Sequence, residues 1–470
     1  MGQLTAAAGS IRSLVAETAG QLGVPGASVA VRLGDEVVEA ATGVANVATG
    51  VEVTTDTLFQ IGSITKTYTG TLTFQLVDEG LVELDAPVRA YLPDLQLADA
   101  TAADEVTVRM LLSHTSGIEG DDFRDFGPGD DTIARWVDGL RDTGSIHPPG
   151  ERFSYCNAGF VLLGRIIEVL RGAPWRVVLQ ERLLDPIGAT RTFARPDEAI
   201  LHRVAIGHLP DPEAAGVVPA PVFIGNYANA PAGSTLSATL RDVIRFADVH
   251  LDEGRAPDGA ELLTPDAVKL MQTAQLELPP VTEFTHGALP WGVTEIGGLQ
   301  VLAHPGGTLG QASLLMLVPE RRFAVAAAGN GPGADGLGFA VALWLIQELF
   351  GVQPSAPGSS VRDDVDLARY EGVYERLNGR FDLCVGGDGL AARLPGNKLL
   401  PERFQSTYLP GGRPTARLVP LSEEVFAVQG NESDALGGRI VFSDFDDEGH
   451  PGCLSDVRLA RRVPDATPEV

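Results

Sequence analysis

The chain has 470 residues, 44% of them hydrophobic, and carries 62 acidic against 35 basic residues, a formal net charge of −27. That acidity argues against binding nucleic acid, because clustered Lys and Arg are what release a phosphate backbone's counterions. It argues equally against a polybasic membrane surface site, while the length suggests two or three domains, each able to bury its own core. Cys156, Cys384 and Cys453 are far apart and form no Cys-x-x-Cys pair. A disulfide framework is therefore not expected, and a reducing compartment is the easier setting. The first basic residue is Arg12, and no compact apolar run precedes a small-residue cleavage site. We therefore expect no signal peptide, no transmembrane helix and a cytoplasmic location.

In chain order, Ile11, Leu14, Val15 and Leu22 have helical spacing, and Pro25-Gly26 ends that segment. Ser28 to Thr42 alternates as two strands around Gly34-Asp35, a hairpin signal. A strand near Thr57–Ile61 leads into a helix from Ser63 to Glu79 that stops at Gly80. Residues 86–250 read as helices and loops, with a buried helix at Phe160–Leu170 and another at Ser237–Leu251 capped by Ser237. Strands return at Val293–Val301, Ser313–Val318 and Phe323–Ala328, before a last apolar helix at Gly338–Phe350. Strands at both ends with helices between them predict one α/β (α+β) domain, a sheet flanked by helices. It spans residues 1–352. A Pro-, Gly- and Ser-rich linker follows at 353–364. Residues 365–470 are short apolar runs broken by turn signals at Gly387-Asp388-Gly389, Pro410-Gly411-Gly412 and Asp447-Glu448-Gly449. This spacing predicts an all-β barrel or curved sheet.

Ser63-Ile64-Thr65-Lys66 carries the chemistry. Positions i and i+3 share a helix face, so the Ser63 hydroxyl and the Lys66 amine can meet. Ser63 also begins the helix, where free N–H groups and the dipole favour developing negative charge. A serine hydroxyl needs a group to take its proton. A lysine serves only if burial or positive neighbours depress its pKa. Alone, Ser-x-x-Lys is more often an exposed lysine on an ordinary helix. Here it is the only such spacing, and Lys66, Lys269 and Lys398 are the only lysines among 35 basic residues. Arginine cannot replace a titratable amine.

Two further pieces accompany it. Pro148-Pro-Gly-Glu-Arg-Phe-Ser-Tyr155-Cys156-Asn157 sets an aromatic hydroxyl two residues from an amide. His304-Pro-Gly-Gly-Thr308 interrupts apolar runs at a strand, where backbone N–H groups can face an oxyanion and Gly306 and Gly307 admit close approach. Each alone reads equally as a core-edge tyrosine or a glycine-rich turn. Ser-x-x-Lys, Tyr-x-Asn and His-x-Gly in that order resemble the serine β-lactamases and penicillin-binding proteins, closest to the class C β-lactamase and D,D-peptidase branch. Leu111-Leu-Ser-His-Thr-Ser-Gly117 and Gly233-Ser-Thr-Leu-Ser237 also look like that branch, and the likeness covers about residues 5–350.

The resemblance implies that Ser63 is the acylated nucleophile, Lys66 its base and Tyr155 the general acid/base. It further implies that the backbone N–H groups of Ser63 and Gly307 form the oxyanion hole, that Asn157 contacts substrate or Lys66, and that His304 and Gly306 contact substrate. His304 stands where β-lactamases carry Lys, which weakens a β-lactamase reading. Cys156 reads as packing. The other histidines show no metal-ligand spacing, and no phosphate-binding glycine loop, dinucleotide fingerprint or Gly-x-Ser-x-Gly elbow occurs. Neither metal nor cofactor is expected.

The expected absence of a leader, together with a small lipocalin-like module opened by Tyr370-Glu-Gly-Val-Tyr374, resembles the stand-alone penicillin-binding-protein-type thioesterases. That likeness implies release and macrocyclisation of a nonribosomal peptide thioester, delivered by a peptidyl carrier protein. The alternatives are a β-lactamase-like esterase, a D-amino-acid peptidase or amidase, and a penicillin-recognising scaffold protein without enzymatic activity.

Overall fold

The computed structural model describes residues 2–353, 360–386, 389–394, 415–429, 436–464 and 466–468. A nine-stranded antiparallel sheet organises the larger part. Its strands run, edge to edge, Val51–Glu52, Glu36–Asn46, Gly26–Leu33, Phe323–Gly329, Gln311–Val318, Leu299–Thr308, Gly292–Ile296, His286–Gly287 and Leu276–Glu277. N-terminal and C-terminal strands are thus neighbours, with Val31 opposite Val325 and Leu314 opposite Ala327.

The pleat sends successive side chains to opposite faces. Val29, Val31, Leu314 and Met316 face one core, shared with Ile11 and Val15 of the helix Gln3–Gln21 and with Leu337 and Val341 of the helix Ala334–Phe350. Ala30, Leu315, Leu317 and Ala326 face the other core, with the helices Thr65–Asp78, Asn157–Arg171 and Leu240–Leu251. Among the described residues no helix is long and apolar enough to cross a membrane.

Gly26–Leu33 and Glu36–Asn46 form the expected hairpin. Two expectations need correction. Val293–Val301 is a hairpin rather than one strand, because Gly297 and Gly298 turn the chain at φ +58° and +84°. The helix expected from Ser237 starts at Leu240. Ser237–Ala238 instead pairs with Phe59–Gln60 and Thr192–Phe193, and the Thr239 hydroxyl accepts from the Asp242 N–H as the cap.

Gly372–Arg376, Gly379–Gly386, Gly389–Arg393, Thr415–Pro420, Val425–Gln429, Leu436–Phe445, Pro451–Ser455 and Leu459–Val463 close into an eight-stranded antiparallel barrel. Closure removes the exposed sheet edges. Tyr370, Tyr374, Phe381, Phe426 and Phe442 fill its core. The strands on either side of Asp447-Glu448-Gly449 pair as that turn signal implies. Pro410-Gly411-Gly412, residues 387–388, half of the linker (354–359) and Lys398 lie outside the described residues.

Candidate active site

Gly62 to Ile64 form one tight helical turn that runs into the helix Thr65–Asp78. Every residue from Thr65 to Leu76 is buried. The threonines survive burial because their hydroxyls donate to nearby carbonyls: Thr65 to Gly62 (2.7 Å), Thr67 to Ile64 (2.7 Å), Thr71 to Thr67 (2.9 Å) and Thr73 to Thr69 (2.9 Å). Ser63 is partly exposed at the head of this helix.

Three backbones meet around that turn. Gly62, at φ +53°, lies so close to the strand Leu299–Thr308 that a Cβ would stand 2.5 Å from the Gly307 nitrogen. A Cβ on Gly306 would stand 2.0 Å from the Ile61 oxygen, and Ser313 Oγ donates to that oxygen at 2.8 Å. Gly233, at φ +117°, leaves 2.3 Å between its notional Cβ and the Gly62 oxygen. These contacts bring Ser63, Gly306 and Gly307 into one cluster and require glycine at positions 62, 233 and 306.

Lys66 is fully buried. Its Nζ lies 3.1 Å from Ser63 Oγ, 2.7 Å from Asn157 Oδ1 and 2.5 Å from the Ala232 carbonyl oxygen. Burial, then the charge of Arg458, pull its pKa well below the usual lysine value, while Asp121 pulls the other way. The Lys66 Nζ is also 4.9 Å from the Tyr155 ring centroid. Tyr155 is hydrogen-bonded through its side chain to Ser63; burial drives its phenol pKa up, and the Ser63 bond and the Arg458 charge oppose this.

Cys156 is buried and caps the helix Asn157–Arg171, its Sγ accepting from the Gly159 N–H at 3.3 Å, and burial raises its pKa. This is the packing role expected of it. His304 is buried on its strand, with its ring 6.4 Å from that of Tyr155 and its Nδ1 2.7 Å from the Pro305 oxygen. Burial, reinforced by Lys66, pulls its pKa down to about 3, so at neutral pH it carries no charge.

Three neighbours were not legible as site residues. His114, at φ +57°, stacks on Tyr155 with centroids 4.3 Å apart, and its Nδ1 accepts from the Cys156 N–H at 3.0 Å. It lies within the Leu111–Gly117 stretch, which was the available signal. Asp121 Oδ1 accepts from Asn157 Nδ2 at 2.8 Å. Arg458 comes from the barrel, between the strands Pro451–Ser455 and Leu459–Val463. Its Nε is 2.7 Å from Asp121 Oδ2, and its guanidinium is 4.9 Å from the Tyr155 ring centroid. The same turn reaches the backbone of Tyr155, whose N–H donates to the Val457 oxygen at 3.1 Å. Neither Asp121 nor Arg458 belongs to a local motif. Among the described residues no cluster of His, Cys, Asp and Glu is arranged to hold a metal ion.

The β-lactamase family model matches residues 11–345. The chain is 40% identical over 368 residues to penicillin-binding protein 4 of Amycolatopsis lactamdurans, covering 76% of this chain and 94% of that protein. It is 27% identical to an unguisins hydrolase of Aspergillus campestris, covering 73% and 65%. Among solved structures, SurE superimposes with a TM-score of 0.76 at 26% identity, covering 98% of this chain and all of that one, and SurE has also been solved with D-Leu. With the fold, the clustered Ser63, Lys66 and Tyr155, and a match across most of the sheet domain, the chain belongs to the β-lactamase family of serine hydrolases.

Proposed function

We propose that the protein is a serine acyltransferase that releases and macrocyclises a peptidyl thioester through an acyl-enzyme on Ser63. The observation that carries the acyl-enzyme is the hydrogen-bonding of Lys66. A neutral amine has two N–H donors and one lone pair. Lys66 Nζ donates to Asn157 Oδ1, the Ala232 oxygen and Ser63 Oγ; when it gives up one proton, the two remaining N–H groups stay on Asn157 and Ala232 and the lone pair faces the Ser63 hydroxyl. Ser63 Oγ attacks the carbonyl as its proton passes to Lys66. The Ser63 and Gly307 N–H groups take the oxyanion. On collapse the C–S bond breaks, and the thiolate leaves as a thiol with a proton returned from Lys66 by way of Tyr155. The peptide's own amine then attacks the ester and frees Ser63.

The family membership supports the acyl-enzyme chemistry. The cyclase reading rests on the resemblance to the stand-alone penicillin-binding-protein-type thioesterases; the likeness to SurE spans the barrel as well as the sheet domain, and its structure with D-Leu favours a substrate with a D-configured residue. Asn157, His304 and Gly306 are the proposed substrate contacts, and a peptidyl carrier protein is the proposed donor. We keep the division into a catalytic domain (1–352), linker (353–364) and barrel domain (365–470).

Intact-protein mass spectrometry tests this reading with a synthetic peptidyl thioester ending in a D-residue. The expected result is an adduct on Ser63, absent in Ser63→Ala, and a cyclic product. Slow hydrolysis without an adduct overturns it. The relative named as an unguisins hydrolase favours a second reading, in which water is the acceptor. Rapid turnover of short p-nitrophenyl esters, with linear peptide as the sole product, would select it.

A further inference from the structure

Lys66 can receive the Ser63 proton only if its two N–H groups stay on two acceptors, and one of these is an amide that can flip. Asn157 has an oxygen at one end and an NH2 at the other. A flip would turn two N–H donors toward the lysine. Asp121 opposes that flip, because its carboxylate accepts only and takes Asn157 Nδ2 at 2.8 Å. Asp121 reaches this position because Gly120 lies against the start of the Asn157 helix: a Cβ there would stand 2.6 Å from Cys156 Cα, and the Gly120 oxygen accepts from the Ala158 N–H at 3.0 Å.

The barrel grips the same loop twice. From its first hairpin, the Leu377 N–H donates to Glu119 Oε1 at 3.1 Å and Asn378 Nδ2 donates to the Asp121 carbonyl at 2.6 Å. From its last hairpin, Arg458 Nε pairs with Asp121 Oδ2 at 2.7 Å. Arg376 ties the two hairpins together through Asp456, with one nitrogen 2.9 Å from Oδ2.

Resting on the acyl-enzyme reading above, we propose that Asp121 is a positioning residue: held by Arg458 of the barrel, it fixes the Asn157 amide so that Lys66 faces Ser63 as a proton acceptor. The barrel is thereby part of the acylation machinery. The groups facing Lys66 are Ser63, Asn157, Tyr155, His114, His304 and Cys156, with Asp121 and Arg458 behind them. Of these, Asp121 and Arg458 act on the amine with opposite signs. The negative Asp121 favours the ammonium and the cationic Arg458 disfavours it.

The test is the pH profile of Ser63 acylation by the synthetic peptidyl thioester ending in a D-residue, in the full chain, with KM read alongside. The unsubstituted protein is acylated faster as pH rises through the Lys66 titration. Asp121→Asn removes a negative charge, so its acid limb moves to lower pH. Arg458→Gln removes a positive charge, so its limb moves to higher pH. Both lose about 10²-fold in acylation rate, as expected for a reacting pair displaced by about 1 Å, with KM little changed. Asp121→Glu recovers part of the rate. A merely structural pair would not move the two limbs in opposite directions. Limbs that stay in place, or move together, overturn the proposal. If Asp121→Asn does not fold, Arg458→Gln decides by the direction of its limb. An unsubstituted protein that forms no adduct overturns the acyl-enzyme reading itself.

Discussion

The sheet-domain half of the site and the barrel half are held by different kinds of force. Around Ser63 the backbone packs on backbone: Gly62 against Gly307, Gly306 against Ile61, Gly233 against Gly62. The close approach leaves little room for movement, and the Ser313 hydroxyl on the Ile61 oxygen is the side-chain hydrogen bond described at this crossing. Around Arg458 the contacts include an ion pair to Asp121, the guanidinium over the Tyr155 ring, a backbone hydrogen bond to Tyr155, the Leu459 N–H donating to Ser154 Oγ at 3.2 Å and a small apolar cluster of Ile146, Cys453 and Leu459. These contacts depend on a hairpin turn being docked. The first half is rigid by exclusion, and the second is ordered by pairing, so substitutions should affect them differently.

The largest effect is expected at Lys66→Arg. The charge stays and the base is lost, because a guanidinium does not deprotonate in proteins. Acylation of Ser63 should fall by at least about 10³-fold, within the range that general acid–base catalysis supplies. Stopped-flow acylation measures it, and near-normal acylation would remove Lys66 from the mechanism.

Gly62→Ala is next. Its Cβ would stand 2.5 Å from the Gly307 nitrogen, at a φ of +53° that Ala resists. The strand must move away from Ser63, and kcat should drop by about 10²-fold through lost alignment, with a lower Tm by calorimetry. A variant with normal kcat would show that the backbone crossing does not set the geometry.

The smallest effect is expected in the barrel turn. Val457 holds φ +116°, a region that strains a β-branched residue. Val457→Gly relieves about 1–3 kcal/mol of strain and forfeits about 0.5–1 kcal/mol of backbone entropy. A rise in Tm of a degree or two is expected, with acylation unchanged. A fall in Tm would mean that Val457 packing outweighs its strain.

Ser63 and Lys66 were legible because a spacing of three residues on one helical turn fixes their geometry locally. Tyr155 and Asn157 were legible for a similar reason, since they flank a helix cap. Asp121 and Arg458 were not, because their meeting depends on how a barrel docks, and docking leaves no periodic trace in either segment. Serine suits a helix cap, yet Ser237 lies in a strand. Its backbone is recruited by Phe59–Gln60, and Thr239, two residues later, does the work with a similar hydroxyl. The Gly297-Gly298 turn was visible in the sequence, but the apolar runs on either side were read as one strand.

The barrel closes only when Leu459–Val463 pairs with Gly372–Arg376. The ribosome therefore finishes Ser63, Lys66, Tyr155 and Asn157 long before it adds the arginine that partners Asp121. A nascent chain can fold its early helices around the nucleophile with that carboxylate still lacking its cation. On the proposed mechanism, full assembly of the centre waits for one of the last hairpins to be synthesised, so translation itself delays the moment at which an acyl group can be taken.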